Sequence, residues 1–477
     1  MSMRAIITGH SYDNEIQTIS QVFSPNERFI KTEIPEPEGL TIASTIEGDF
    51  FRGVIYENGK KLLEKELSSD AQDEKERKHL AKLAMYLALS QYTGIRPSWG
   101  LLTGIRPAKI IHQLWREGFG DEEAVAHMED KYLVMRSKAR LCLEVARRER
   151  KIIEGTGRNQ LGLYIGIPFC PTRCLYCSFT SYPLNKYVAM TDDYVKALVK
   201  ELEFLSKKAE PFELESIYMG GGTPTSLSES QLALLMDNIR RLFSFDKLKE
   251  YTVEAGRPDT ISLEKLETLK RSGVTRLSVN PQTLKDKTLR LIGREHTAEQ
   301  FFQAFALARE AGFQDINVDI ILGLPEESLE DVQATLDGIL ELEPEGVTAH
   351  TLSVKRASRL KEELSSYQLT QARAVEEMLR LTSDTMSKSG MFPYYMYRQK
   401  NMLGNFENVG YCKPGFEGIY NVQIMEEKQS IWAAGAGAVT KLVEPSTGLI
   451  SRVFNVKAPE EYINRIDEMI NRKGRSL

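Results

Sequence analysis

Two hydrophobic periods alternate along the middle of the chain, from about Leu161 onward. Short apolar, β-rich runs recur as GLYIGI, ESIYMG, EYTVEA, TRLSVN, INVDIIL and VTAHTL. Between them lie segments with apolar residues at helical spacing: DDYVKALVKELEFL, ESQLALLMDNIRRLF, SLEKLETLKRSG, AEQFFQAFALAREAG and LEDVQATLDGILEL. Ser228 with Gln231, and Thr297 with Gln300, have the spacing of capping boxes at helix starts. Gly273 and Gly312 stand where two helices should end, because glycine takes the left-handed backbone of a C-terminal cap at little cost. Six strands alternating with helices predict a parallel sheet, since parallel neighbours need crossover connections. The expected class is α/β, as a partial (β/α)6 barrel of the TIM-like kind, with an open doubly wound sheet as the alternative. In either form ligands gather at the C-terminal ends of the strands.

The flanks have other patterns. Residues 1–66 alternate short β-like runs (AIIT, TIASTI, FFRGVIY) with polar turns such as ENGK, which predicts a small sheet. The charged stretch SSDAQDEKERKH opens a helix with Leu80, Leu83, Ala84, Tyr86 and Leu87 on one face. Further helices are expected from Pro107 and from about Met135 to Ile153. Beyond about Lys361 one helix is expected near Thr370–Lys388, then a loop-rich stretch, the segment IWAAGAGAVTKLV and a closing charged helix. The expected division is 1–155, an α+β domain with no identifiable chemistry; 156–360, the barrel; and 361–477, a loop-rich substrate-side or accessory region.

Composition narrows the classes. The chain has 477 residues and a formal net charge of −5, which argues against a general nucleic-acid binder, whose surface would be basic. MSMRAIITGHSYDNE lacks a signal-peptide pattern, and no apolar run approaches a membrane span, so a cytoplasmic protein is expected. Five cysteines, three of them clustered, fit a reducing compartment and not a disulfide framework.

The chemistry concentrates at strand ends. Cys170, Cys174 and Cys177 form C-x3-C-x2-C within YIGIPFCPTRCLYCSF. Three thiolates can hold three irons of a [4Fe–4S] cluster and leave the fourth iron open. A structural zinc site would need a fourth ligand and usually shows paired C-x2-C elements. After the second strand, Gly220-Gly221-Gly222-Thr223-Pro224-Thr225 would let backbone approach a ligand closely. Glu254, near Arg257, is either half of a strand-end salt bridge or a carboxylate that accepts hydrogen bonds from a ligand. Gln282 and Arg294 could reach inward. Asp319, within an apolar strand, needs a partner or a ligand. His350 on the sixth strand reads more simply as a satisfied structural residue.

Taken together, YIGIPFCPTRCLYC, GGGTPT, VEAGRP, LSVNPQT, LIGREH, VDIILGLP and TAH resemble the radical S-adenosylmethionine (SAM) enzymes of the oxygen-independent coproporphyrinogen III oxidase family. The likeness runs in order from about Gly162 to Arg359 and more weakly to Lys441. The N-terminal extension and the tail RQKNMLGNFENVGY…YNVQIMEE resemble its HemZ-type branch. The resemblance implies Cys170, Cys174 and Cys177 as ligands of a [4Fe–4S] cluster. It places SAM against Tyr164, Tyr176, Gly221, Gly222, Thr223, Glu254, Gln282, Arg294, Asp319, Ala349 and Val439.

The implied reaction is oxidative decarboxylation of coproporphyrinogen III to protoporphyrinogen IX in haem biosynthesis, with a flavodoxin- or ferredoxin-type electron donor. The family can hold one SAM or two. A tetracarboxylate substrate would call for cations at the mouth, with Lys355, Arg356, Arg359 and Arg398 as candidates. Two positions depart from the family: Gly166 stands where it carries histidine, and Phe179 where it carries a fourth cysteine. The same scaffold could instead serve as a haem-binding chaperone, or act on a different tetrapyrrole. Against the chaperone, YNVQIM lacks the His and Trp of the chaperone-like H-N-x-x-Y-W pattern.

Overall fold

The computed structural model describes residues 2–24, 27–104, 106–353, 372–398, 406–444 and 447–477. The chain folds as two compact units, Met1–Leu143 with Arg398–Glu407, and Glu144–Tyr397 with Asn408–Leu477. In the first, strands Ser2–Thr8, Leu40–Glu47 and Phe50–Glu57 form the expected small sheet, joined by Arg28–Lys31 and Lys60–Ser68. Helices Asp13–Phe23 and Glu74–Thr93 cover it, burying Ile16, Ile19, Ile42, Phe51, Ile55, Met85 and Leu89. A Cβ at Gly53 would lie 2.5 Å from the Ala84 carbonyl oxygen, so glycine there lets the long helix rest directly on the sheet.

Arg398, expected among the cations of the substrate mouth, belongs to the core of this unit. It is 1 % exposed, stacks 4.7 Å from the Trp99 ring centroid and donates to the Leu102 carbonyl at 2.6 Å. Trp99 Nε1 in turn donates to Glu407 at 2.7 Å, and Lys138 pairs with the same carboxylate. Lys355, Arg356 and Arg359 lie outside the described residues.

In the second unit the six expected strands form as Gln160–Ile167, Glu213–Gly221, Glu250–Glu254, Arg276–Ser278, Asp315–Leu322 and Gly346–Thr351. They are neighbours in that order and all parallel. A doubly wound sheet reverses its strand order at a switch point; here the order never reverses, as a partial barrel requires. The helices Thr191–Ala209, Glu229–Leu242, Leu263–Arg271, Ala298–Glu310 and Leu329–Leu340 lie in the crossovers. Both anticipated capping boxes are present, and Ser328 with Asp331 adds a third. Gly273 and Gly312 adopt φ of +91° and +84°, the left-handed backbone expected past a helix end.

The C-terminal region is less loop-like than its sequence suggests. Ser430–Ala434 pairs in parallel with the first barrel strand as a seventh parallel strand, followed by the antiparallel Val439–Val443 and Ile450–Phe454. On the other edge Glu407–Cys412 pairs antiparallel with the sixth strand, and Phe392–Arg398 lies beyond it. The YNVQIM segment is helical, within Ile419–Glu426. Among the described residues no helix is long and apolar enough to cross a membrane.

Candidate functional site

Cys170 closes the two-residue strand Phe169–Cys170, just beyond the first barrel strand. Cys174 is buried and Cys177 is partly exposed. Backbone and side-chain bonds hold the loop between them: Cys177 N donates to Cys174 O (3.1 Å), Leu175 N to Ile292 O (3.0 Å) and Thr172 Oγ1 to Gly293 O (3.1 Å). Arg257 Nη1 donates to Thr172 Oγ1 at 3.0 Å, while its other side grips Asp259 at 2.7 Å. Arg257 is therefore committed to the cysteine loop and Asp259, and the alternative of a Glu254–Arg257 salt bridge falls away. Burial pushes the Cys170 thiol up and the Cys177 thiol up to about 11, and the neighbouring Cys174 adds to both.

The glycine loop packs on this cysteine strand. Gly222 N donates to Ile167 O and Thr223 N to Phe169 O, both at 2.7 Å, and Thr223 Oγ1 lies 3.4 Å from Cys170 Sγ. A Cβ at Gly222 would meet Phe169 O at 2.6 Å; one at Gly220 would meet the Glu254 carboxyl carbon at 2.7 Å. Gly221 sits at φ +112°, beside the Tyr164 hydroxyl. The run thus brings two strand ends and the Glu254 carboxylate into one small space.

Glu254 accepts a 2.7 Å hydrogen bond from the Tyr218 hydroxyl. Burial pushes its carboxyl up to about 7, with Asp319 adding repulsion and the Tyr218 bond opposing both. Tyr218 is a residue that sequence reasoning missed. The period-2 alternation of ESIYMGG sets it on the face shared with Gly220, and that was the available signal. Its ring lies nearly parallel to those of Tyr164 (6.4 Å, 16°) and Tyr420 (4.4 Å, 22°).

On the next strands, Gln282 adopts φ +70°, unusual for a non-glycine residue. Its backbone is pinned by Gln282 N to Asp319 O (3.1 Å) and Ile321 N to Gln282 O (3.0 Å). Its buried Oε1 finds no partner among the described residues. Arg294 is a clamp: Nη1 donates to the Tyr176 hydroxyl (3.1 Å), and Nη2 to the carbonyls of Gly256 (2.5 Å) and Asn280 (2.8 Å). Asp319 accepts from Asn317 Nδ2 at 2.7 Å and faces His350 Nε2 at 3.5 Å. Ala349 alternates with His350 along its strand, so its methyl points to the opposite face and only its backbone is offered to the interior.

Residues 164–339 match the Radical SAM superfamily. The oxygen-independent coproporphyrinogen-III oxidase-like protein HemZ of Bacillus subtilis is 39 % identical over 399 residues, covering 82 % of this chain and 80 % of that protein. The chain belongs to the radical SAM superfamily, in this oxidase-like branch. The haem chaperone HemW of Bacillus subtilis is 34 % identical over 311 residues, 64 % of this chain and 76 % of its own length. The solved structure of Escherichia coli coproporphyrinogen III oxidase (HemN), described as a radical SAM enzyme, shares the fold. It gives a TM-score of 0.51 at 22 % identity, over 67 % of this chain and 72 % of that one.

Membership of the radical SAM superfamily implies a [4Fe–4S] cluster and SAM, and the residues present suit both. The donor set is three soft thiols on one loop, which is what iron–sulfur clusters take. Thiols raised by burial would lose their protons as iron binds, so assembly at this loop should release protons. The buried Gln282 Oε1 has no donor among the described residues, and Glu254 is a buried carboxyl whose ionised form a cationic ligand would favour. Val439 lies at the start of its strand, after a turn in which Gly435 takes φ +106° and where a Cβ would meet the Gly166 carbonyl oxygen at 2.3 Å. That turn is pressed against the end of the first strand.

Proposed function

We propose that this protein is a radical SAM enzyme that acts on a tetrapyrrole, by oxygen-independent oxidative decarboxylation of coproporphyrinogen III. One observation carries the reading: the three-cysteine loop is packed against the triple-glycine loop at the C-terminal ends of adjacent parallel strands, with the Glu254 carboxylate alongside. Cys170, Cys174 and Cys177 would hold the cluster. The backbone of Gly221 and Gly222, with Thr223, would meet the methionine end of SAM. Glu254, Gln282 and Asp319 would take its amino and ribose donors. A reduced cluster with SAM supplies hydrogen-atom abstraction, the chemistry by which a propionate becomes a vinyl group with loss of CO2 and one further electron.

The protein's own residues hold and shield. Arg294 fixes Tyr176, the side chain just before Cys177, to the ends of two strands. The stacked Tyr164, Tyr218 and Tyr420 form an apolar wall of the barrel interior, which keeps water from a reactive species.

The ionisation of Glu254 gives a pH signature. A carboxylate, not a carboxylic acid, attracts a cationic ligand, so SAM should bind tightly above about pH 7 and weaken as pH falls through about 7. Tyr218→Phe removes a bond that favours the ionised form, so Glu254 should protonate at higher pH and the decline should begin earlier. Glu254→Gln should flatten the profile. Equilibrium dialysis of SAM between about pH 6 and pH 8.5 measures all three; a wild-type profile as flat as that of Glu254→Gln contradicts the assignment.

Substrate choice needs its own experiment. With reconstituted protein, SAM, a low-potential reductant and coproporphyrinogen III, the expected result is vinyl product together with methionine and 5′-deoxyadenosine. SAM cleavage without decarboxylation rejects this substrate. Stoichiometric haem binding without SAM cleavage favours a chaperone, the function named for the 34 %-identical relative.

A further inference from the structure

His350 has no task in the scheme above, yet it stands inside the barrel between two ionisable partners. Its Nδ1 lies 3.2 Å from the Tyr397 hydroxyl and its Nε2 3.5 Å from Asp319 Oδ2. The three residues come from different strands: Tyr397 from Phe392–Arg398, His350 from Gly346–Thr351 and Asp319 from Asp315–Leu322. The remaining oxygen of Asp319, Oδ1, is held by Asn317 Nδ2 at 2.7 Å. Asn317 is fixed in turn by Ser278 Oγ (3.1 Å) and by Thr348 Oγ1, which donates to its amide oxygen (3.1 Å). Asn280 Oδ1 accepts from Asp319 N at 3.2 Å. Below the carboxylate, then, everything is braced; its orientation depends on what meets Oδ2.

The chemistry selects one tautomer. A neutral imidazole has a single N–H, which an anionic carboxylate attracts more strongly than a phenol does. With Nε2–H turned to Asp319, Nδ1 is left as an acceptor for the Tyr397 O–H. The phenol therefore orients the ring, and the ring aims the carboxylate. The charged and titratable groups that face His350 are Asp319 and Tyr397 directly and Glu254 through space. A separation of 3.5 Å is long for a hydrogen bond, as such contacts often are before a ligand draws them together.

We infer that His350 is a positioning residue, which with Tyr397 sets Asp319 Oδ2 to receive the donor groups of SAM. This rests on the proposed SAM site. One oxygen of Asp319 is then fixed by Asn317, and the other shares its lone pairs between His350 and the ligand.

The test is a set of variants of the full-length, cluster-loaded protein. His350→Phe is expected to weaken SAM binding about tenfold, the scale of a lost hydrogen bond to a charged group, with iron content and Tm unchanged. His350→Gln keeps an N–H donor and should recover most of that loss. In an Asp319→Asn background, His350→Phe should have little further effect, because the two residues act as a unit. Unchanged SAM affinity in His350→Phe overturns the inference, and so does a penalty that adds fully to that of Asp319→Asn. Loss of iron with Tm in His350→Phe, not rescued by His350→Gln, would make the residue structural. Wild-type protein that holds its cluster yet binds no SAM refutes the underlying site instead, a result distinct from all the others.

Discussion

Cys174→Ala is expected to leave a folded protein with little bound iron and no measurable SAM cleavage. Of the three thiols, Cys174 lies in the middle of the loop and touches both others electrostatically. Two remaining thiolates cannot hold three irons, so removal of one ligand acts on the whole cluster and not in proportion. The loop itself should keep its shape. Its anchors are Leu175 N on Ile292 O, Thr172 on Gly293 O and Arg257 on Thr172, and none uses the Cys174 sulfur. Iron and sulfide analysis with 5′-deoxyadenosine quantification checks the result, and a circular dichroism spectrum shows that the fold survives. Cys412→Ala, a change at a thiol on the antiparallel strand next to the sixth barrel strand, is expected to cleave SAM at the wild-type rate. Retained cleavage in Cys174→Ala would refute the ligand assignment.

Lys473→Met should destabilise the barrel unit by about 3–5 kcal/mol, the cost of leaving a buried carboxylate without its counter-charge. Lys473 and Glu201 are both fully buried and paired. Glu201 also accepts from Asn455 Nδ2 (2.9 Å), the Tyr462 hydroxyl and Gly435 N (2.8 Å). The carboxylate on one barrel helix is thus the point where the C-terminal chain is fastened. Next to it the Tyr194 hydroxyl donates to Gly166 O (2.7 Å) and accepts from Ala436 N (2.9 Å). Loosening Glu201 should therefore reach the Gly435–Ala438 turn and the first strand, four positions ahead of Cys170. The expected readout is a fall in Tm of roughly 10 °C and faster hydrogen exchange at residues 435–438. The double variant Glu201→Gln with Lys473→Met removes both charges and should recover part of the loss. A Tm unchanged in Lys473→Met would show that the pair contributes nothing.

The barrel was legible in the sequence because each of its signals is local. Ser228, Thr297, Gly273 and Gly312 mark helix ends through contacts within four residues, and the six strands carry continuous apolar runs bounded by turns. The seventh parallel strand was not legible. Ser430–Ala434 is nearly all buried, so it lacks the alternation of a half-exposed strand, and the glycines after it look like loop. Helix Ile419–Glu426 is too short, at eight residues, to show a clear period. Lys60–Ser68 alternates exposed and half-buried positions over most of its length, as an edge strand does, but its run of lysines and glutamates hid that pattern.

At the site, residue types were readable and partnerships were not. Glu254 and Asp319 were recognisable as carboxylates that need a partner. That those partners are Tyr218, Asn317 and His350 depends on strand register, which sequence spacing does not encode. Arg294 reads as an inward cation, and its guanidinium also clamps Tyr176 and two carbonyls. Arg398 reads as a surface cation for substrate but is stacked on Trp99. In both, a guanidinium with several donors is satisfied by distant groups that only the fold brings near.

Three cysteines and one bound SAM should together make a radical-generating site. Anaerobically reconstituted protein is reduced with dithionite in the presence of SAM, and methionine and 5′-deoxyadenosine are quantified against time. The two products are expected in equal amounts, dependent on reductant and absent from Cys170→Ala, Cys174→Ala and Cys177→Ala. A protein that carries its full complement of iron yet yields neither product would contradict that assignment.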